Sequence, residues 1–230
     1  MENYRYGDIL RKITHYGLLS PLDVLLVGGT GTGKSTTINA IFGSSVAKVG
    51  EGVDPETQMV SSYRLHKYFC IHDSAGLGDG LAADATHAEN IAAALRESCW
   101  DSQSMGSNGR IDLVLVLLDG GSRDLGTALQ MLEKVVLKGI APDRVVVAIN
   151  LADMAMKGRH WNSHTCRPEP ELLAFLEAQA HSVQRRIRES AGLEISKPVF
   201  YSARHRYNLA GLVDHLVDHI PTKRRKLLTR

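Results

Sequence analysis

Gly28-Gly29-Thr30-Gly31-Thr32-Gly33-Lys34-Ser35 follows the pattern G-x-x-x-x-G-K-[ST], and the chemistry of that pattern is the binding of phosphate oxyanions. Glycines let successive backbone N–H groups turn inward, and a helix starting at Lys34 would aim its positive end at the same point. Lys34 is placed to reach β- and γ-phosphates and the Ser35 hydroxyl to hold Mg²⁺. The flanks suit this: Leu22 to Val27 reads as a buried strand, and Thr36 to Phe42 as a short helix closed by Gly43. The chain is expected to bind a nucleoside triphosphate.

A phosphate loop leaves the base and the reaction open, so the next residues to read are those just after later strands, where ligands of open α/β sheets bind. Asp73 follows a β-prone run, and its D-x-x-G spacing brings a carboxylate near Mg²⁺ and the Gly76 N–H near a γ-phosphate. Asn150-Leu151-Ala152-Asp153 follows the run RVVVAIN, and Ser202-Ala203-Arg204 follows the last apolar run. Other reactive types carry less. His160, His164 and Cys166 lie close together in RHWNSHTC, but no fourth ligand is evident and the spacing suits a solvated loop better than Zn²⁺. Trp161 beside them reads as a packing residue or a cover for the base edge, and His87 as a helix-surface residue, with orientation of a reacting water as the second reading.

Positioning these groups requires a full α/β core, and 230 residues supply one. Hydrophobic content of 43% and charged content of 23% are those of a globular protein, and a net charge of +2 names no partner. Cys70, Cys99 and Cys166 are scattered and odd in number, which argues against a disulfide framework and for a reducing, cytoplasmic location. No apolar run is long enough for an integral membrane segment.

Tyr4 to Tyr16 has helical apolar spacing, with Ser20-Pro21 expected to end the helix and open the first strand. Ser44 to Gln58 reads as a loop, Met59 to Leu65 and Tyr68 to His72 as a hairpin turning at His66-Lys67, and Thr86 to Glu97 as a helix. Ile111 to Leu118 and Arg144 to Asn150 read as strands buried on both faces. A helix is expected over Asp124 to Lys138 and another over Glu171 to Glu189, with an irregular polar stretch, Met156 to Pro170, before the second. Pro198 to Ser202 is a last strand. The last helix is predicted to start with Asn208 as N-cap and to stop at Pro221. The tail Thr222 to Arg230 (TKRRKLLTR) reads as a solvated charge run, with contact to RNA or an anionic membrane surface as the second reading. Strands alternating with helices predict a mainly parallel sheet covered on both faces.

With these motifs in this order, the chain resembles the translation-factor-related GTPases, most closely their Era-like branch, over Leu22 to Pro221. Uncharacterised GTPases of bacterial genomic islands and prophages look nearer still. DSAGLGDG is similar to that branch's second switch, PETQ around Thr57 to its first, and SAR to its S-A-K loop. The resemblance implies an α/β P-loop G domain, a mixed, mostly parallel six-stranded sheet flanked by helices, at residues 21–221. An added N-terminal helix (1–20) and a basic tail (222–230) complete the division. It implies GTP and GDP as ligands with Mg²⁺ as cofactor, contacted by Gly28, Thr30, Gly31, Thr32, Gly33, Lys34, Ser35 and Thr36. Asp153 would accept hydrogen bonds from guanine N1 and N2, Asn150 would tie the base loop to the phosphate loop, and Ser202 and Ala203 would line the base, the Ala203 N–H meeting O6. Ser35, Thr57 and Asp73 would form the Mg²⁺ side, with Lys34, Thr57 and Gly76 acting on the γ-phosphate.

Two departures qualify the activity. Leu151 replaces the lysine of N-K-x-D, so it can cover the base only by apolar packing. Leu77 stands where a water-orienting glutamine is found in other GTPases, which implies slow unaided hydrolysis. Gly31 also lacks the side chain by which some relatives recruit K⁺. A partner is therefore expected, a protein or RNA effector or a second copy in a nucleotide-dependent homodimer. The alternative is a nucleotide-dependent binding module with negligible hydrolysis. An ATPase or small-molecule kinase is disfavoured by Asp153 and the lack of a lid-like Arg-rich insertion.

Overall fold

The computed structural model describes residues 3–43, 60–74, 76, 81–101, 106–122 and 125–226. Thr57 with the rest of PETQ, and Ala75 and Leu77 to Gly80 of DSAGLGDG, lie outside these residues.

Three nearly continuous apolar runs form the centre of the sheet: β1 (Leu22–Gly28), β6 (Leu113–Asp119) and β7 (Val145–Asn150). With β2 (Ser61–His66), β3 (Phe69–Asp73) and β10 (Val199–Phe200) they make a six-stranded sheet in the order β10-β7-β6-β1-β3-β2. Every pairing is parallel except the β2–β3 hairpin at the edge.

Strand periodicity sends alternate residues to opposite faces. Leu22, Val24 and Leu26 join Leu113, Leu115 and Leu117 in one core, under α1 (Tyr6–Tyr16), α2 (Lys34–Phe42) and α7 (Leu209–Asp218). Leu25, Val27, Val114, Val116 and Leu118 join the other. That second core is covered by α3 (Leu81–Arg96), α4 (Gly126–Met131), α5 (Leu137–Gly139) and α6 (Pro170–Ala191). The helix expected at Asp124 to Lys138 is thus two, joined by a π turn at Leu132–Val136 where Met131, Leu132 and Val136 are all buried.

α1 packs on the flank by burying Ile9 and Ile13, each contributing about 1.5–3 kcal/mol. Gly17, not Ser20-Pro21, ends it: Gly17 takes φ +61°, and the Leu18 N–H returns to Ile13 O at 2.9 Å. α3 starts at Leu81, ahead of the predicted Thr86, because Leu81-Ala82-Ala83 extends the helix with strong formers that carry no apolar period. The hairpin of β4 (Ser98–Asp101) and β5 (Gly106–Gly109) was not anticipated, its Gly/Ser-rich GSNG lacking a strand pattern. The stretch read as irregular contains a second small hairpin, β8 (Trp161–Asn162) with β9 (Arg167–Pro168).

Two terminal expectations are corrected. Asn208 sits at the N-cap position of α7 but at φ +54°, and its Nδ2 donates to Phe200 O at 2.8 Å instead of its side chain capping the helix. α7 ends at Asp218, short of Pro221. The tail, as far as residue 226, is only partly a solvated run: Thr222, Lys223 and Lys226 are exposed. Arg225 is buried, donating from Nη1 to Gly139 O at 3.0 Å and from Nη2 to Leu95 O at 2.8 Å, while its own carbonyl accepts the Gly109 N–H. A Cβ on Gly109 would overlap the guanidinium, so glycine is what admits it. Arg144 links the same strap to the sheet through Asp112 O and Lys223 O.

Candidate nucleotide site

The loop between β1 and α2 lies at the carboxyl edge of the sheet. Gly31 and Gly33 take φ +80° and +81°, a region L side chains rarely adopt. Gly28 is confined differently: a Cβ there would lie 2.8 Å from both Leu117 O and Thr32 Oγ1. The Thr32 hydroxyl donates to Gly29 O at 2.8 Å, and Lys34 Nζ donates to Gly28 O and Gly29 O at 3.1 Å each. Thr30 is exposed at the rim, and Ser35 and Thr36 are half-buried in the first turn of α2. No acidic side chain occupies that turn, which leaves the positive end of the helix unopposed.

Asp73, at the end of β3, faces this loop. Burial lifts its carboxyl to about 6, against the pull of the Lys34 charge and a hydrogen bond from Ser35. Its Oδ1 is buried with no hydrogen-bond partner. The Asp73 carboxylate, with its orphaned Oδ1, and the Ser35 hydroxyl form a hard, all-oxygen donor set of the kind Mg²⁺ takes, so these residues fit that ion. Gly76 lies tightly over the loop, since a Cβ there would be 2.7 Å from Thr30 Oγ1 and 2.9 Å from Lys34 Nζ. His87 is not on the helix surface as expected. It is buried on α3, and its Nδ1 hydrogen-bonds Gly76 O.

The other half of the site follows β7. Asn150 is fully buried and bonds in two directions, Nδ2 to Thr32 O at 2.9 Å and Oδ1 from the Ala203 N–H at 3.0 Å. The Ala203 N–H expected to meet a base oxygen is therefore engaged by Asn150. Gly33 is needed beneath, because a Cβ there would overlap the Asn150 amide. Leu151 takes φ +59°, and Asp153 is 5% exposed in the 3₁₀ turn that follows. Asp153 Oδ1 is a second buried carboxylate oxygen without a partner, while Oδ2 lies 3.6 Å from His205 Nε2. Ser202, fully buried, accepts the His205 N–H on Oγ at 3.2 Å.

The structure thus brings Gly28 to Thr36, Asp73 and Gly76 together, and Asn150 joins Asp153, Ser202 and Ala203 to them. His160, His164 and Cys166 are not brought together: His160 faces Glu169 and Glu171, and Cys166 Sγ lies 3.7 Å from His205 Nδ1. Trp161 packs on His205 and Tyr207, with ring centroids 5.2 and 5.6 Å away. Sequence reasoning missed His205, two residues beyond the SAR motif. It also missed Tyr201, whose hydroxyl bonds Thr37 Oγ1 at 2.8 Å and locks α2 to the base side. Nothing in a short apolar strand marks such a tyrosine.

Residues 23–151, more than half of the chain and running from β1 through the Asn150-Leu151 corner, match the 50S ribosome-binding GTPase family. The chain belongs to this family of P-loop GTPases. No curated protein matches it. Among solved structures, the GTPase resembles a dimerization-deficient mutant of Toc33 from Arabidopsis thaliana at 14% identity and TM-score 0.66, over 99% of this chain and 93% of that one. Toc33 from the same plant in complex with GDP and Mg²⁺ gives 14% and 0.63, over 100% and 96%. Era in complex with MgGDPNP and nucleotides of 16S ribosomal RNA gives 18% and 0.54, over 88% and 58%. At these identities the likeness shows the fold. Among the described residues, no helix is long and apolar enough to cross a membrane.

Proposed function

We propose that this GTPase binds Mg²⁺·GTP, hydrolyses it slowly to GDP and phosphate, and acts as a molecular switch of the Era-like kind. The observation that carries this reading is a pair of buried, unpartnered carboxylate oxygens, Asp73 Oδ1 and Asp153 Oδ1, on the two sides of one glycine-rich loop. Buried acceptors are rarely left unpaired in a native protein. A guanine nucleotide with its metal would complete both, the base N1–H and N2–H at Asp153 and the metal end at Asp73.

Asp153 selects guanine over adenine, Leu151 covers the base by packing, and Ser202 and Ala203 close its edge, with the Ala203 N–H shared between Asn150 and guanine O6. Gly28, Thr30, Gly31, Thr32 and Gly33 present backbone N–H groups to the phosphates, and Thr36 contacts the α-phosphate. Lys34 moves from the carbonyls of Gly28 and Gly29 to the β- and γ-phosphates. Ser35, Thr57 and Asp73 would hold Mg²⁺, which when bound would supply positive charge to the phosphate oxygens. Gly76 offers its N–H to the γ-phosphate, and Thr57 closes from the first switch. Stabilisation of charge by Lys34 and these N–H groups is electrostatic, without a covalent intermediate. Leu77 cannot orient water, so the unaided rate is low. A partner, a protein or RNA effector or a second copy, supplies what is missing, and the protein works in the cytoplasm.

Phosphate release from GTP under multiple turnover tests the reading. A slow, Mg²⁺-dependent rate, lost in Lys34→Ala, supports it. Tight GTP binding with no turnover supports the nucleotide-dependent binding module instead.

A further inference from the structure

Strands β1 and β3 lie in the sheet interior, and carboxylate, thiol and imidazole side chains enter them on one face. Asp23 interrupts LDVLLVG, and Cys70 and His72 interrupt FCIHD. Two-residue periodicity puts Cys70 and His72 on the same side of β3. The parallel register sets Asp23 beside Cys70 and Leu25 beside His72. The three side chains therefore converge, all buried, and one carboxylate oxygen, one thiol sulfur and one imidazole nitrogen lie within 4.8 Å of one another. His72 Nε2 is 2.6 Å from Asp23 Oδ1, and its Nδ1 is 2.8 Å from Ser62 Oγ.

We propose that Asp23, Cys70 and His72 form a binding site for a divalent transition-metal ion of the Zn²⁺ class, distinct from the Mg²⁺ side of the nucleotide site. The donor set decides the class: Mg²⁺ and Ca²⁺ take oxygen ligands, whereas mixed nitrogen, sulfur and oxygen donors suit Zn²⁺ and its neighbours. Ser62 supplies the outer contact such sites use, holding Nδ1 so that Nε2 faces the ion. Charge also closes, since a divalent ion with one carboxylate, one thiolate and a neutral imidazole sums to zero, which burial requires. In a tetrahedral site with bonds of about 2.0–2.3 Å, ligand atoms stand roughly 3.3–3.8 Å apart. The Asp23–His72 hydrogen bond must therefore open by about 1 Å as Cys70 draws in. Three protein donors leave one position for water. Asp73 follows His72 directly, but adjacent strand residues point to opposite faces, so the two sites are separate. The exposed group His160, Glu169 and Glu171 offers no thiolate and serves as a control.

The test uses the full chain, stripped with a chelator and free of nucleotide, titrated with Co²⁺ as a spectroscopic probe and then with Zn²⁺. One equivalent of Co²⁺ should produce a thiolate-to-metal charge-transfer band that Zn²⁺ bleaches. The band should persist in Cys99→Ser, Cys166→Ser, Asp73→Asn and His160→Ala and vanish in Cys70→Ser. Affinity should fall at least about tenfold in His72→Gln and Asp23→Asn. Thermal melting of each variant checks its fold, and Zn²⁺ should raise the melting temperature of the wild type and of the four variants that keep the band, but not of Cys70→Ser. The wild-type titration decides even if Cys70→Ser fails to fold. Absence of the band, or its survival in folded Cys70→Ser, would overturn the proposal and leave a hydrogen-bonded Asp–His–Ser chain.

Discussion

Asn150 Nδ2 donates a 2.9 Å hydrogen bond to Thr32 O, so the corner that follows β7 is tied directly to the phosphate loop that follows β1. The same amide accepts the Ala203 N–H, and one buried side chain thereby couples three loops. Asn150→Ala leaves the Thr32 carbonyl and the Ala203 N–H without these partners, at about 1–3 kcal/mol for each buried group. GTP and GDP affinity should both fall by roughly tenfold or more, at about 1.4 kcal/mol per decade. Calorimetric titration of the variant checks it, and unchanged affinity would remove Asn150 from the account.

Lys34 and Ser35 face the loop interior. Lys34→Ala and Ser35→Ala are each expected to abolish productive Mg²⁺·GTP binding while retaining a cooperative melt. Circular dichroism on heating, beside titration with GTP and Mg²⁺, separates loss of the site from loss of the fold.

Gly76 leaves no room for a side chain, with Lys34 Nζ and Thr30 Oγ1 at 2.9 and 2.7 Å from the position of a Cβ. Gly76→Ala should push the peptide off the γ-phosphate position. Affinity for a non-hydrolysable GTP analogue should drop by about tenfold, roughly 1.4 kcal/mol, while GDP binding is nearly kept. Equal losses for the two nucleotides would contradict the role given to Gly76.

Much of the fold was legible because its central strands are uninterrupted apolar runs and its phosphate loop has one spelling. The parts that escaped lack local signals. Arg225 reads as one more charge in TKRRKLLTR until Gly109 is seen to open a cavity for it. His87 has a helical setting that says nothing of Gly76 O beside it. His205 reaches Asp153 only because the turn after β10 folds back, and its sequence neighbours are two arginines. Tertiary approach, not propensity, fixes each of these contacts.

His215, on α7, tests burial by pH. Burial, helped by the charge of His219, lowers its imidazole from 6.5 to about 4. The folded chain thus holds it neutral where the unfolded chain takes up a proton. Its contribution is complete above the unfolded value, and stability falls as pH drops through the window towards 4, by up to about 3 kcal/mol. Urea unfolding at neutral pH and near the bottom of that window should show a smaller acid loss in His215→Gln than in the wild type. Parallel losses would contradict it.

Arg225 closes the strap across the N-terminal end of the sheet. Arg225→Ala exposes the carbonyls of Leu95 and Gly139 to an empty cavity and should cost about 2–4 kcal/mol. A lowered melting temperature with unchanged GTP affinity is expected, read by calorimetry and nucleotide titration on the same sample.

The central claim is that Asp153, through its unpartnered Oδ1, reads guanine. Competition of GTP, ATP and XTP for one fluorescent nucleotide, in wild type and Asp153→Asn, measures this most directly. A site built to pair a polar base edge rejects a ligand without the partner by about 10⁴-fold. GTP should lead in the wild type and XTP in Asp153→Asn. An ATP preference in the wild type, or an unchanged ranking in the variant, would contradict the account.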